Sequence, residues 1–169
     1  MAEMAITFDI PTIAWLQPGV ARRILQEDVA HGVHQIEERI AAAARRNAAV
    51  DRGRMRDGIE IRHVQKPAQG NVLVSSAVST SPETPYARDI ERGTKPHWIA
   101  DGEDFEGLQG WAQRKLGDAQ RAYAVRHSIA KKGTAAQPFM EPASREIEPQ
   151  VDIVMHGWAA VAVRRMQQI

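Results

Sequence analysis

Three carboxylates or imidazoles fall close together in the stretch PYARDIERGTKPHWI, residues 85–99: Asp89, Glu91 and His97. Such a set could move protons, or hold a divalent ion in a metal-dependent nuclease, provided the fold brings the three groups within reach of one bond. No further acid or base at a matching spacing supports them elsewhere in the chain, so the enzyme reading ranks last. A second candidate is His31 and His34, three apart with Glu37 and Glu38 following, a spacing that in principle offers two imidazoles and a carboxylate to one metal. Polar residues on the outer face of an amphipathic helix account for them more simply. The stretch DGEDFEG, 101–107, has four acids but not the one-three-five spacing or closing glutamate of a calcium loop. It reads instead as an acidic first helical turn, favoured by the helix dipole. The last candidate is the basic run Arg45, Arg46, Arg52, Arg54 and Arg56, which could contact phosphates or be a solvated helix end and loop.

Composition narrows these options. The 169 residues carry 22 basic and 21 acidic side chains, a net charge of +1, whereas a dedicated nucleic-acid domain is usually clearly basic. There is no cysteine, hence no disulfide, thiolate metal site or thiol nucleophile, and a reducing cytoplasm is the expected place of synthesis. Neither a nucleophile elbow nor a phosphate-binding glycine pattern occurs. The acids Glu3 and Asp9 near the start argue against a signal peptide, and no apolar run reaches the length of a membrane span. We expect no cofactor, no metal and no membrane partner. Length and a 43% apolar content suit a single globular core low in aromatics.

The elements that must position these residues follow from periodicity. Residues 4–16 alternate loosely and suggest an N-terminal arm or edge strand within 1–17, kept out of a sheet interior by Pro11. From Pro18 to about residue 47, Ile24, Leu25, Val29, Val33, Ile36, Ile40, Ala43 and Ala44 recur at three- and four-residue steps, the stripe of one long helix. At about 45 Å it is longer than a small domain needs, so part of it is expected to meet a neighbouring subunit, and Gly32 is a place for a bend. Segments 59–66 and 72–79 read as antiparallel strands joined by a turn at PAQGN. Thr84 is a candidate N-cap and Pro85 a first residue for a two-turn helix through Arg92, closed by Gly93 in a left-handed conformation. Helices are expected at 104–115 and 119–131, separated at Gly117. A final helix has Pro149 near its start and a stripe of Val151, Val154, Trp158, Val161, Ala162 and Met166. This order defines an α+β class: residues 18–169 form one domain with a small antiparallel sheet and long amphipathic helices packed on one face.

Three separated passages together carry a family likeness. AAVDRGRMRDGI (48–59), PYARDIERGTKPHWI (85–99) and GTAAQPFMEPA (133–143) stand in this order, and the chain resembles the tail-completion or head-tail joining proteins of long-tailed bacteriophages over roughly residues 20–165. It departs from the family pattern at Arg92, where an aromatic is usual, and at Ala49, where proline is common. The resemblance implies a structural virion protein without catalysis. Such a protein forms a homo-oligomeric ring in the neck between portal or head-closure proteins and the tail terminator or tail tube, and DNA passes through it. It marks Tyr86, Glu91, Gly93, Thr94, Pro96, His97, Trp98, Gly133, Thr134, Pro138, Phe139 and Pro142 as subunit-contact candidates. Pro138, Phe139 and Met140 would be an apolar anchor and Pro142 a helix start. Arg45, Arg46, Arg52, Arg54 and Arg56 would be the residues facing DNA, and a DNA-binding module built on them is the alternative function.

Overall fold

The computed structural model describes residues 18–62, 65 and 73–168. The proposed arm within 1–17, the PAQGN turn and the adjoining ends of the two strands lie outside these residues. The described chain runs α1 (Pro18–Asn47), α2 (Arg54–Asp57), β1 (Ile59–Ile61), β2 (Val78–Thr80), α3 (Ala87–Arg92), α4 (Glu103–Leu116), α5 (Arg121–Lys132) and α6 (Met140–Met166). It is an α+β fold of long helices on a two-stranded antiparallel sheet, with Ile59 opposite Thr80 and Ile61 opposite Val78. No helix among the described residues is long and apolar enough to cross a membrane.

The centre of the molecule is an antiparallel pair of α1 and α6. Every member of the α1 stripe named above is buried, because three- and four-residue steps keep those side chains on one face. Polar contacts along the pair set its register. Arg46 donates to Glu146 at 2.7 Å, Arg39 to Gln150 at 2.6 Å, the Trp158 indole to Gln35 at 3.2 Å and Arg165 to Asp28 at 2.8 Å. The sheet packs against the same face of α1, where Arg45 donates to the Ile59 carbonyl. Ile59, Met55, Val74, Phe139, Ala143 and Ile147 complete this core.

Three expectations need correction here. The α1 stripe is covered by α6 and the sheet inside the chain, so α1 has no excess apolar length that needs a neighbour. That is possible because α6 begins at Met140 and carries Pro149 in its interior. Proline lacks an N–H and normally costs an interior helix about 3 kcal/mol. Here Pro149 is on the exposed side, while Ala143 and Ile147 before it and Met155 after it are buried and hold both halves in one helix. Thr84 does not cap α3: its hydroxyl donates to the Ser81 carbonyl at 2.9 Å, and α3 begins two residues later than expected, after Tyr86. α1 runs through Gly32 without interruption.

At Gly32 two α6 side chains press against the backbone of α1. A Cβ built there would lie 2.9 Å from Cδ1 of Trp158 and 3.0 Å from Sδ of Met155, while His31 stacks on the same indole at 5.2 Å. Gly32→Leu is therefore expected to push α6 away and cost about 2–3 kcal/mol by overpacking, read as a lower urea midpoint with an unchanged slope.

Beside this core stands a smaller one. Phe105, Ala112 and Ala122 are buried together, with Ile99, Leu108 and Trp111 packed around them, and they belong to the hairpin of α4 and α5. Gly117, with φ 76° and ψ 1°, ends α4 in the left-handed conformation and so permits the reversal. Glu103, Asp104 and Glu106 occupy the first turn of α4, as the dipole reading of DGEDFEG expects.

Candidate functional site

The two Gly-Thr segments are held by one another. α3 ends at Gly93 (φ 70°, ψ 175°) and α5 at Gly133 (φ 73°, ψ −161°). Both have positive φ, but with an extended ψ that is almost confined to glycine, rather than the left-handed helical cap expected at Gly93. This conformation turns each chain out of its helix into an antiparallel bridge between Thr94 and Thr134. Thr94 N donates to the Thr134 carbonyl at 3.1 Å, Thr134 N to the Thr94 carbonyl at 3.3 Å, and the two hydroxyls are 3.0 Å apart. Each hydroxyl also accepts from the other residue's N–H at 3.1 Å. Neither glycine has room for a side chain. A Cβ at Gly93 would lie 2.5 Å from the Thr134 carbonyl oxygen, and one at Gly133 would overlap the Thr94 carbonyl oxygen.

The segment after the bridge is strapped along α3. Gln137 N donates to the Ile90 carbonyl at 2.8 Å. The Glu91 carboxylate then takes three backbone donors at the start of α6: Phe139 N at 2.7 Å, Met140 N at 3.0 Å and Glu141 N at 3.0 Å. Glu91 is thus a helix cap supplied from another helix, at the end where the dipole favours an anion. Phe139 is 1% exposed in the main core and so cannot serve a neighbour as an anchor; Pro138 and Pro142 are exposed on either side of it. Pro142 lies in the first turn of α6.

The excursion between the two threonines is fastened by a buried cation. Arg126, 5% exposed, lies between the rings of Trp98 and Phe105 at 4.1 and 4.6 Å and donates to Asp101 at 2.7 Å. Two aromatic faces and a carboxylate compensate a guanidinium that burial alone would penalise. Trp98 also meets His127 edge-on at 5.4 Å. Helical periodicity does not reveal Arg126, a charged residue in the middle of the 119–131 helix. Its partners Trp98 and Phe105 lie far from it in sequence, so no local signal marks it.

Between these parts opens a groove of about 770 Å³, and all three passages of the resemblance line it: residues 49–55, residues from Tyr86 to Ile99, and Thr134, Ala135 and Gln137. α4 closes one side. Arg114 grips Asp51 through two hydrogen bonds of 3.0 and 2.5 Å, and Lys115 donates to the Val50 carbonyl at 2.7 Å. The Arg114 hydrogen bonds hold the Asp51 carboxyl below its usual range, and Asp51 raises Arg114 in turn.

The residues considered for chemistry are not gathered around one point. Both oxygens of Glu91 are used as the α6 cap. His97, whose Nδ1 meets the Lys95 carbonyl at 2.9 Å, lines the groove together with Asp89 and Tyr86. His31 stacks on Trp158, and His34 pairs with Glu38 at 3.4 Å. Among the described residues no three histidines or carboxylates form a metal-binding group. Of the arginines, Arg45 binds a carbonyl, Arg46 pairs with Glu146 and Arg56 with Asp57, whereas Arg52 and Arg54 line the groove. Pro96 is exposed.

Glu37 is the one carboxylate of the metal candidates that is buried. It faces a second, small pocket walled by Val33, Ile40, Val74 and Val78. Burial raises its pKa, opposed by a hydrogen bond from Ser76 and the charge of His34. A folded-state pKa above the unfolded one means that Glu37's contribution is fully present below the ordinary glutamate range and is lost as pH rises through the raised value. Glu37→Gln removes that loss. Its Tm is expected to exceed the parent's at about pH 7, with the gap closing by about pH 4, as followed by thermal melts across that range.

The fold and the groove together define an α+β protein in which two glycine-threonine turns clamp a helical hairpin to a long helix pair. Among known proteins, no family model, curated protein or solved structure matches this chain.

Proposed function

We propose that this chain is a structural component of the neck of a bacteriophage virion, assembling as a homo-oligomeric ring that joins the head to the tail and lets DNA pass. Its partners are then the portal or head-closure protein on one side and the tail terminator or tail tube on the other, and it carries no catalytic site. The observation that supports this is the convergence of the three resembling passages on one groove, built from residues engaged in architecture. Glycines there admit close backbone approach, threonines pair backbones, Glu91 caps a helix, and Asp51 and Arg114 tie a loop to a helix. Glu91 and His97 already serve different structural partners, the start of α6 and the Lys95 carbonyl.

Native mass measurement combined with particle imaging tests the proposal. The purified protein is expected to form closed rings, or to do so on portal or tail-tube complexes. A strict monomer that binds neither complex rules the reading out. A DNA-binding module is the alternative; it predicts salt-dependent DNA affinity that disappears when Arg45 to Arg56 are neutralised. It is weakened by the internal acceptors that already occupy Arg45, Arg46 and Arg56.

A further inference from the structure

The groove has apolar walls of Val50, Met55, Ile90, Ile99, Trp111 and Ile129, and its ionic lining is Arg52, Arg54, Arg114 and Lys115 against Asp51 and Asp89. Asp51 is already engaged by Arg114, so cations are in excess. A fitting occupant is an apolar segment with carboxylates and no cation. Residues 1–17, MAEMAITFDIPTIAWLQ, have that composition: Glu3 and Asp9 are the charged side chains, and Ile6, Phe8, Ile10, Ile13, Trp15 and Leu16 supply apolar bulk.

Geometry decides whose groove it is. The segment joins the fold at Pro18, the start of α1, whereas the groove is formed by residues just after the other end of that 30-residue helix. The helix is about 45 Å long, and 17 residues span at most about 56–61 Å. Reaching its own groove would use nearly all that length in running back along α1. About three to five residues at the very start would then enter, and the apolar set from Ile6 to Leu16 would remain outside. In a second copy placed head to tail, the groove comes next to Pro18 and the whole set can enter it.

We propose that residues 1–17 of one copy dock in this groove of the next. The contact joins different surfaces on the two partners, so its repetition closes a ring or extends a filament. The inference rests on the oligomeric reading above and names the segment that would make the joint.

The chain has no cysteine, so single thiols report directly. Full-length Phe8→Cys and Ala135→Cys proteins, mixed and oxidised, are expected to give a disulfide-linked heterodimer as the main covalent product. Phe8→Cys mixed with Asp152→Cys, on an exposed part of α6, should give little. The double variant Phe8→Cys/Ala135→Cys should give covalent multimers. Adding Asp9→Lys should lower the heterodimer yield about fivefold through like-charge repulsion, and Arg52→Glu should restore it. The inference is overturned by a heterodimer no more abundant than the Asp152 control, or by a double variant that closes on itself as a covalent monomer. It is also overturned if yield is indifferent to the charge swap. Native mass of the parent separates the two readings: a parent ring with no cross-link removes this inference alone, and a parent monomer that also binds neither portal nor tail-tube complexes removes both.

Discussion

Gly133→Ala is expected to lose about 3–5 kcal/mol of folding stability, a large share of what a domain has. Two causes add. The backbone at φ 73° and ψ −161° belongs to a region that side chains avoid at a cost of about 1–3 kcal/mol. Beyond that, the new methyl would overlap the Thr94 carbonyl oxygen and lie 2.8 Å from the Thr94 and Lys95 carbonyl carbons. Those atoms are backbone and cannot swing aside, so the Thr94–Thr134 bridge must open. Gly117→Ala separates the causes, since Gly117 also has positive φ but nothing within 4 Å of a built Cβ. It should cost only about 1–2 kcal/mol. Urea unfolding of both variants checks this, and equal midpoint shifts would show that close approach at the bridge is unimportant.

Glu91→Ala carries the next largest effect, about 3 kcal/mol. α6 has no side-chain cap of its own at Phe139, so the substitution leaves three N–H groups at a helix start without their charged acceptor, and hydrogen bonds to charged groups are the stronger ones. Glu91→Gln keeps the shape but turns an amide NH₂ toward donors and removes the charge, so it should recover less than half of the loss. Hydrogen exchange gives the local reading: the amides of Phe139, Met140 and Glu141 should lose protection in Glu91→Ala while those of the middle of α1 stay protected to the extent that global stability allows. A loss below about 0.5 kcal/mol, the size of an ordinary surface change, would remove Glu91 as a cap.

The first prediction falls on the segment bridged through Thr94 and Thr134 to the stretch that looked most like an active site, and the second falls in that stretch itself. Its mixture of charges, glycine and prolines reflects three structural duties in fifteen residues: a short helix that presents Glu91, a glycine with no room for a side chain, and an extended run that lays Trp98 on Arg126. The glycine's special backbone was readable from its place after a helix, but its ψ was not. Whether a positive-φ glycine takes the helical or the extended form depends on what its chain must pair with next, here a threonine 40 residues away. Pro149 misled for a similar reason. Taken locally it marks a helix start, and only the burial of Ala143 and Ile147 before it and Met155 after it carries the helix through.

What this sequence determined by itself was the run of α1, the antiparallel sense of the sheet, the break at Gly117 and the α+β class. Each is set by the spacing of apolar side chains or by a residue's own backbone limits, which act over a few positions. The tertiary structure alone decided that the Gly-Thr segments clamp each other, that Glu91 caps α6, that Arg126 is buried between two rings, and that α6 and the sheet together bury the stripe of α1. Those contacts join residues far apart in the chain. Their formation depends on which surfaces meet once the long helices pack, and no local pattern encodes that.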